Sequence, residues 1–333
     1  MSPLYPFLVL PEFYERVWGT RDLRPYFTRV VEGEPVGEAW LTGEECQVAS
    51  GPLAGQTLGA LAAQYGAEFT GEASPQADRF PLLIKFLFPR QKLSVQVHPD
   101  DDRAHLDGLP CGKTECWYVA RAIEGAQVGL GLRPGINREM FRQAIESNQA
   151  EHMLNWLDVH AGEMLYVDAG TVHALGPNSI VLETQQNSDT TYRLYDYGRP
   201  RQLHLELGMA AIRDKTHAGR VEPMVAGDHD LLVSSPCFIV EKYKIDKPAT
   251  LTAEPGKSSV QVLVSLDGGA IVQCDGSQPL PIMRGEAVVI PASSPAVTLR
   301  PQWSAEILRM RLPSQNVAEP ITDLRTSYTT KHG

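Results

Sequence analysis

A chain of 333 residues, 43% hydrophobic and 21% charged, is long enough to bury two or three cores and too apolar to be a disordered segment. Its net charge of −10 argues against a nucleic-acid or anionic-membrane surface, both of which need clustered Lys and Arg, but leaves room for a few cations around a small anion. Five scattered cysteines with no C-x-x-C pair, and 28 Gly with 25 Pro, point to a reduced, cytoplasmic chain of many short strands.

The apolar start, Met1 to Pro11, lacks a basic region, is broken by prolines and runs into Glu12 and Glu15, so no signal peptide is expected. No apolar run approaches the length of a membrane span. In residues 57 to 70 the spacing of Leu58, Leu61, Ala62 and Tyr65 predicts a short helix. FPLLIKFLF, KLSVQVHP and ECWYVARAI follow as strands. Met140, Phe141, Ile145, Met153, Leu154 and Leu157 predict a helical pair, a small insertion over 137–159. EMLYVDAG, SIVLETQQ and TYRLYDYG return to strand, ELGMAAIRDK suits a helix, and VEPMVAGDHD has the polar composition of a loop. Beyond it CFIVEKYKI, SSVQVLVSL, GAIVQCD, EAVVIPA, AVTLRP and AEILRMRL are strands at regular spacing, a second small barrel or sandwich. The expected division is 1–231 and 232–333.

A weak internal repeat links the two parts. AGEMLYVDAGTVHAL aligns with RGEAVVIPASSPAVTL when Gly162 is matched to Gly285, which sets His173 against Ala296. TECWYVARAIEGA aligns with SSVQVLVSLDGGA when Gly125 is matched to Gly269, which sets Glu115 against Ser259. The later copy keeps the strand pattern and lacks both candidate ligands, so chemistry is expected in the earlier one.

Strand periodicity sends Leu93, Val95 and Val97 to one face and Ser94, Gln96 and His98 to the other. Glu115 heads an apolar strand and His173 follows a Gly turn. Two imidazoles, a carboxylate and an amide from separate strands make a divalent-metal site; the donors suit zinc and equally iron, manganese or nickel. An exposed polar strand face is the plain alternative for the first segment. The remaining histidines, His105, His152, His160, His204, His217, His229 and His332, lie in polar or helical contexts and are expected at the surface, His105 being of interest because it follows the HPDD turn.

QVHPDD, GKTECWYV, AGTVHAL and above all ETQQNSDTTYRLYDYGR resemble the short bacterial branch of the type I mannose-6-phosphate isomerases; VWGT, GEAW and LIKFL fit as well. The likeness spans about residues 15 to 210. It implies a mainly β protein of two cupin (jelly-roll) β-barrels, the later one degenerate, that interconverts D-mannose 6-phosphate and D-fructose 6-phosphate with one Zn2+ per chain. It also implies metal ligands Gln96, His98, Glu115 and His173, catalytic Arg193 and Lys113, and phosphate contacts Ser94 and Lys85. Arg193 could instead pair with Asp189 or Asp196. A lysine expected just after the catalytic arginine in longer members is absent, leaving Arg199 or Arg201 for any extra phosphate contact. Glu183 and Asp189 match acidic positions, as supports or in proton transfer. A small sugar phosphate is the expected partner, with no nucleic acid, no membrane, and a monomeric or weakly dimeric state. An iron-dependent cupin dioxygenase and a non-catalytic sugar-phosphate-binding cupin are the alternatives.

Overall fold

The computed structural model describes residues 4–28, 32–251 and 258–313, together with the backbone of 324–325. His332 lies outside the described residues. The described parts of Met1–Phe88, Leu182–Asn187 and Pro223–Ile321 form one compact unit, and those of Pro89–Val181, Ser188–Glu222 and Thr322–Gly333 form the other. Both are mainly β. Among the described residues no helix is long and apolar enough to cross a membrane.

In the second of these units a five-stranded antiparallel sheet runs in the order Tyr192–Tyr195, Val95–Val97, His173–Leu175, Gln127–Leu132, Leu154–Asp158. Its two faces differ in chemistry. Val95, Val97, Ala174, Tyr192 and Leu194 pack on one side with Phe141 and Ile145 of helix Arg138–Glu146 and with Met209 of helix Leu205–Ala211. The other side carries a polar row, because directly opposed residues in antiparallel strands share a face: Arg193 opposes Gln96, and Gln96 opposes His173. Strands Glu115–Ala122, Met164–Val167 and Gly219–Val221 form the unit's remaining ladder.

The other unit contains a seven-stranded sheet that includes Gln261–Asp267, Ala305–Arg311, Ile239–Ile245 and the early strand Phe7–Val9. A four-stranded sheet holds Gly269–Cys274 and Val297–Pro301, and an apolar cluster built on Leu263, Val272, Ile290, Leu299 and Ile307 fills the core. Strands Glu12–Thr20, Val36–Trp40 and Leu82–Leu87 pair in sequence order. Among the described residues neither unit closes into a continuous barrel.

The repeat is visible in the pairing. Glu115 opposes Val167 just as Gln261 opposes Ile290, and Gly129 opposes Ala174 as Cys274 opposes Val297. The ladders shift one sequence-based match: Gln261, not Ser259, takes the position of Glu115. There it accepts from Arg309 Nε at 2.8 Å, while Arg309 Nη1 reaches Glu241 Oε2 at 3.1 Å and Arg311 Nη2 reaches Glu241 Oε1 at 3.0 Å. Gln261, Glu241 and Arg309 are all buried.

Two sequence expectations are corrected. Residues 137–159 are helical only in part: Arg138–Glu146 is a helix capped by Asn137, Ala150–Met153 is one 3-10 turn, and Leu154–Asp158 is a strand paired with Gln127–Leu132. Asn148 at φ 58° breaks the helical run, and cross-strand packing of Leu154 and Trp156 then overrides the helical spacing of Leu154 and Leu157. The loop expected at 221–230 is a hairpin, Met224–Ala226 against His229–Ser234, turning through Gly227 and Asp228. The predicted helix at 57–70 forms as Leu58–Tyr65 and Ala67–Thr70, broken at Gly66.

Lys85 sits in the fully buried strand Leu82–Leu87. Its Nζ lies 3.3 Å from Glu183 Oε1 and 3.8 Å from Glu38 Oε2, so carboxylates of its own unit answer its charge; an external anion is not required to explain it. Burial pushes the Glu38 carboxyl up, but Lys85, Arg16 and hydrogen bonds from Trp40 and Arg16 outweigh that and lower it from 4.5 to about 2. A carboxylate whose pKa falls on folding stabilises the fold above its unfolded value and loses that contribution as pH drops through the folded one. The shift corresponds to about 3 kcal/mol. Glu38→Gln should therefore unfold at lower urea than the parent at pH 6, with the gap closing between pH 4.5 and about 2. A gap independent of pH would refute the assignment.

Candidate metal centre

Four side chains meet in the second unit. His98 ends the segment that begins at strand Val95–Val97, Glu115 opens strand Glu115–Ala122, and His173 opens His173–Leu175. Glu115 Oε2 is 3.5 Å from His98 Nε2, and Glu115 Oε1 is 3.4 Å from His173 Nε2. One donor atom from each of the three lies within 4.8 Å of the others, and all three residues are buried. The Gln96 amide ends 3.1 Å from His173 Nε2 and accepts from Ser94 Oγ at 3.2 Å.

The histidine tautomers follow from the backbone. His98 Nδ1 is 2.8 Å from the carbonyl of Thr190 and His173 Nδ1 is 2.9 Å from that of Thr171, so each Nδ1 carries the proton and donates. Each Nε2 is then an acceptor, His173 from the Gln96 Nε2 amide at 3.1 Å and His98 from Lys113 Nζ at 3.2 Å, with Glu115 alongside both. Neutral imidazoles oriented through their far nitrogen, with a carboxylate between them, match the donor chemistry of a divalent-metal site. Trp117 packs edge-on against His173 with centroids 5.4 Å apart and limits the ring's freedom. Thr171 and Thr190 are the supporting groups that sequence spacing could not reveal, because they act through carbonyls.

Loop construction places the candidate ligands. Gly112 passes so close to the backbone of Asp100 and Asp101 that a Cβ there would meet Asp100 C at 2.6 Å, and the Lys113 N–H donates to the Pro99 carbonyl at 2.9 Å. This pins Lys113 beside the centre, its Nζ 2.9 Å from Glu115 Oε2 and 3.2 Å from His98 Nε2. Arg193 shares the polar face, and its Nη1 donates to the Gln202 carbonyl at 2.9 Å.

His204, expected at the surface, instead accepts the Arg193 backbone N–H on Nδ1 at 3.2 Å. Burial, then the nearby Arg193 charge, hold its pKa below the ordinary value, which keeps the ring an acceptor. His229 also departs from expectation, stacking on Tyr243 with centroids 4.9 Å apart. His105 is exposed and close to the Pro110 carbonyl. Asp196 is engaged by Arg199 at 3.1 Å and Arg201 at 2.6 Å, so the two arginines considered for an extra phosphate contact are held by a carboxylate.

A mainly β unit that buries two imidazoles and a carboxylate between its ladders has the makings of a metal-binding cupin. Comparison with known proteins narrows the class. Residues 12–120 match the family model for the phosphomannose isomerase type I catalytic domain. The chain is 39% identical over 256 residues to the probable mannose-6-phosphate isomerase GmuF of Bacillus subtilis, covering 72% of this chain and 80% of that one. It is 33% identical to the mannose-6-phosphate isomerase of Streptococcus mutans, covering 86% and 92%. The crystal structure of a Bacillus subtilis mannose 6-phosphate isomerase superposes with a TM-score of 0.82 at 29% identity, covering 92% of this chain and 99% of that one. The chain belongs to the type I mannose-6-phosphate isomerase family.

Proposed function

We propose that this chain interconverts D-mannose 6-phosphate and D-fructose 6-phosphate as a metal-dependent aldose-ketose isomerase. The observation that carries the proposal is the convergence of Gln96, His98, Glu115 and His173 on one buried spot in a member of this family. The donors are nitrogen and oxygen without sulfur, which fits zinc, one ion per chain, as the proposed metal. A divalent ion bound there would supply Lewis-acid polarisation of the sugar's C1 and C2 oxygens.

Isomerisation takes a proton from C2 of the open-chain aldose and returns one to C1, so negative charge builds on the two oxygens. Lys113, fixed by Glu115 and His98, and Arg193, fixed by Gln202 and His204, are proposed to place positive charge beside them. Ser94 and Lys85 are proposed for the phosphate, with Glu38 and Glu183 as the carboxylates an incoming phosphate would compete with at Lys85. Holding that remote group orients the reacting carbons. In architecture we propose two cupin barrels divided at 231/232; the compact units depart from that division, with described parts of Met1–Phe88 and Leu182–Asn187 joining Pro223–Ile321, as when strand Phe7–Val9 pairs with Ala287–Ile290. A cytoplasmic monomer or weak homodimer completes the reading.

The decisive test is a coupled assay with mannose 6-phosphate before and after chelation. Turnover should vanish with the metal and return on adding zinc; a folded, zinc-loaded sample that does not isomerise ends the proposal. Arg193→Lys should lower kcat/KM by about 100-fold while zinc content stays constant, since the planar fork is lost and the charge kept. Parallel loss of zinc would show that Arg193 acts on the metal centre instead.

A further inference from the structure

Arg213 belongs to no motif, and half of its side chain is exposed. It nonetheless touches both loops that deliver histidine ligands. Its Nη2 lies 2.7 Å from Asp100 Oδ2, two residues past His98. Its backbone N–H donates to the carbonyl of Gly170 at 3.0 Å, three residues before His173. Between those contacts the aliphatic stem lies flat on Gly170, where a Cβ would meet Arg213 Cγ at 2.5 Å. Gly170, at φ +87°, in turn donates its N–H to the carbonyl of His98 at 2.8 Å.

From this we infer that Arg213 is a positioning residue for the metal centre, a brace that fixes the separation of the His98 and His173 loops. The inference rests on the metal-site reading above. Asp100 caps helix Asp101–Leu106 through its other oxygen, Oδ1, which accepts from the Arg103 N–H at 2.8 Å. The ion pair is therefore additional to the cap. Its exposure makes it weak as a source of global stability. Its position makes it strong as a geometric constraint, because a tetrahedral or near-tetrahedral ion tolerates little change in the distance between two imidazoles. Groups that orient ligands from behind typically govern metal affinity by about 10- to 100-fold.

The chemistry around the brace is defined on each side. Asp214 pairs with Arg138 Nε at 3.0 Å, and Asp168 accepts from Thr171 Oγ1 at 2.8 Å and from the His217 N–H at 2.8 Å. Removing the guanidinium therefore breaks the ion pair with Asp100 and leaves the contacts of Asp214 and Asp168 in place.

The test uses the full chain and zinc alone. Zinc affinity is measured by competition with a chromophoric chelator for the parent, Arg213→Ala, Arg213→Lys and Asp100→Asn, with cobalt(II) absorption as a reporter of ligand geometry. Asparagine caps helices as well as aspartate does, so Asp100→Asn removes the charge and keeps the cap. Arg213→Ala should weaken zinc binding by about 10-fold or more and alter the cobalt spectrum; Arg213→Lys should recover part of the loss, and Asp100→Asn should match Arg213→Ala. The double variant should be no weaker than either single one, because both remove the same contact. Parent-like zinc affinity in Arg213→Ala overturns the inference and leaves the isomerase reading intact. A parent chain that binds no zinc overturns both.

Discussion

Replacing His173 with alanine will strip the metal and the isomerase activity together. Its Nε2 is 3.4 Å from Glu115 and 3.1 Å from the Gln96 amide, so it stands at the middle of the donor set. Zinc content by elemental analysis should fall from one per chain to near none, and kcat/KM by about 1,000-fold or more, the scale on which loss of a principal electrostatic stabiliser is felt. Truncation also removes the ring that Trp117 packs against. His173→Gln, which keeps more of the volume, should lose metal equally while melting closer to the parent. Full zinc occupancy in either variant would show that the proposed ligand set is wrong.

The second large effect lies in the unit that lacks the candidate metal ligands. Arg309→Met should destabilise that unit by about 3–5 kcal/mol, read as an early transition in urea by fluorescence. Arg309 is the shared partner of Gln261 and Glu241, and removing it leaves the buried Glu241 with Arg311, a weak contact to Tyr243 at 3.5 Å and His229 Nε2 at 4.0 Å. Burial, then the charge of Glu241, push the Tyr243 hydroxyl up to about 12, so that group stays a neutral donor and contributes no positive charge to offset the carboxylate. Replacing Glu241 with leucine as well should recover most of the loss, because the cost comes from the stranded carboxylate rather than from the bond itself. Arg142→Ala, which breaks the exposed pair with Glu206, serves as the control and should leave the transition where it was. A single Arg309→Met variant as stable as the parent would refute the account.

The elements legible in sequence were those whose pattern and packing agree. Leu82–Leu87 is buried on both faces and apolar apart from Lys85, and Met164–Val167 is likewise a buried, largely apolar run. Leu154–Asp158 was misread because two leucines three apart fit a helix as well as a strand, and only the partner Gln127–Leu132 decides between them. The four candidate ligands stood out in the sequence because their residue types and their motifs point the same way. The structure brings them together, but it also answers the charge of Lys85 with Glu38 and Glu183, partners distant in sequence that no local pattern exposes. His204 and Arg213 escaped for a related reason. One acts on a backbone N–H and the other through a bridging ion pair, and neither relation leaves a spacing to recognise.

The two copies of the repeat differ in what surrounds the matching position: Lys113 and two imidazoles at Glu115, a guanidinium at Gln261. At the place of Glu115 the later copy has Gln261, tied to a guanidinium that is covalently part of the chain. Among the described residues, only the His98, Glu115 and His173 group could gather an ion from outside. Removal of a metal ion held by that group would therefore reach one copy of the repeat and leave the buried ion pair of its twin in place.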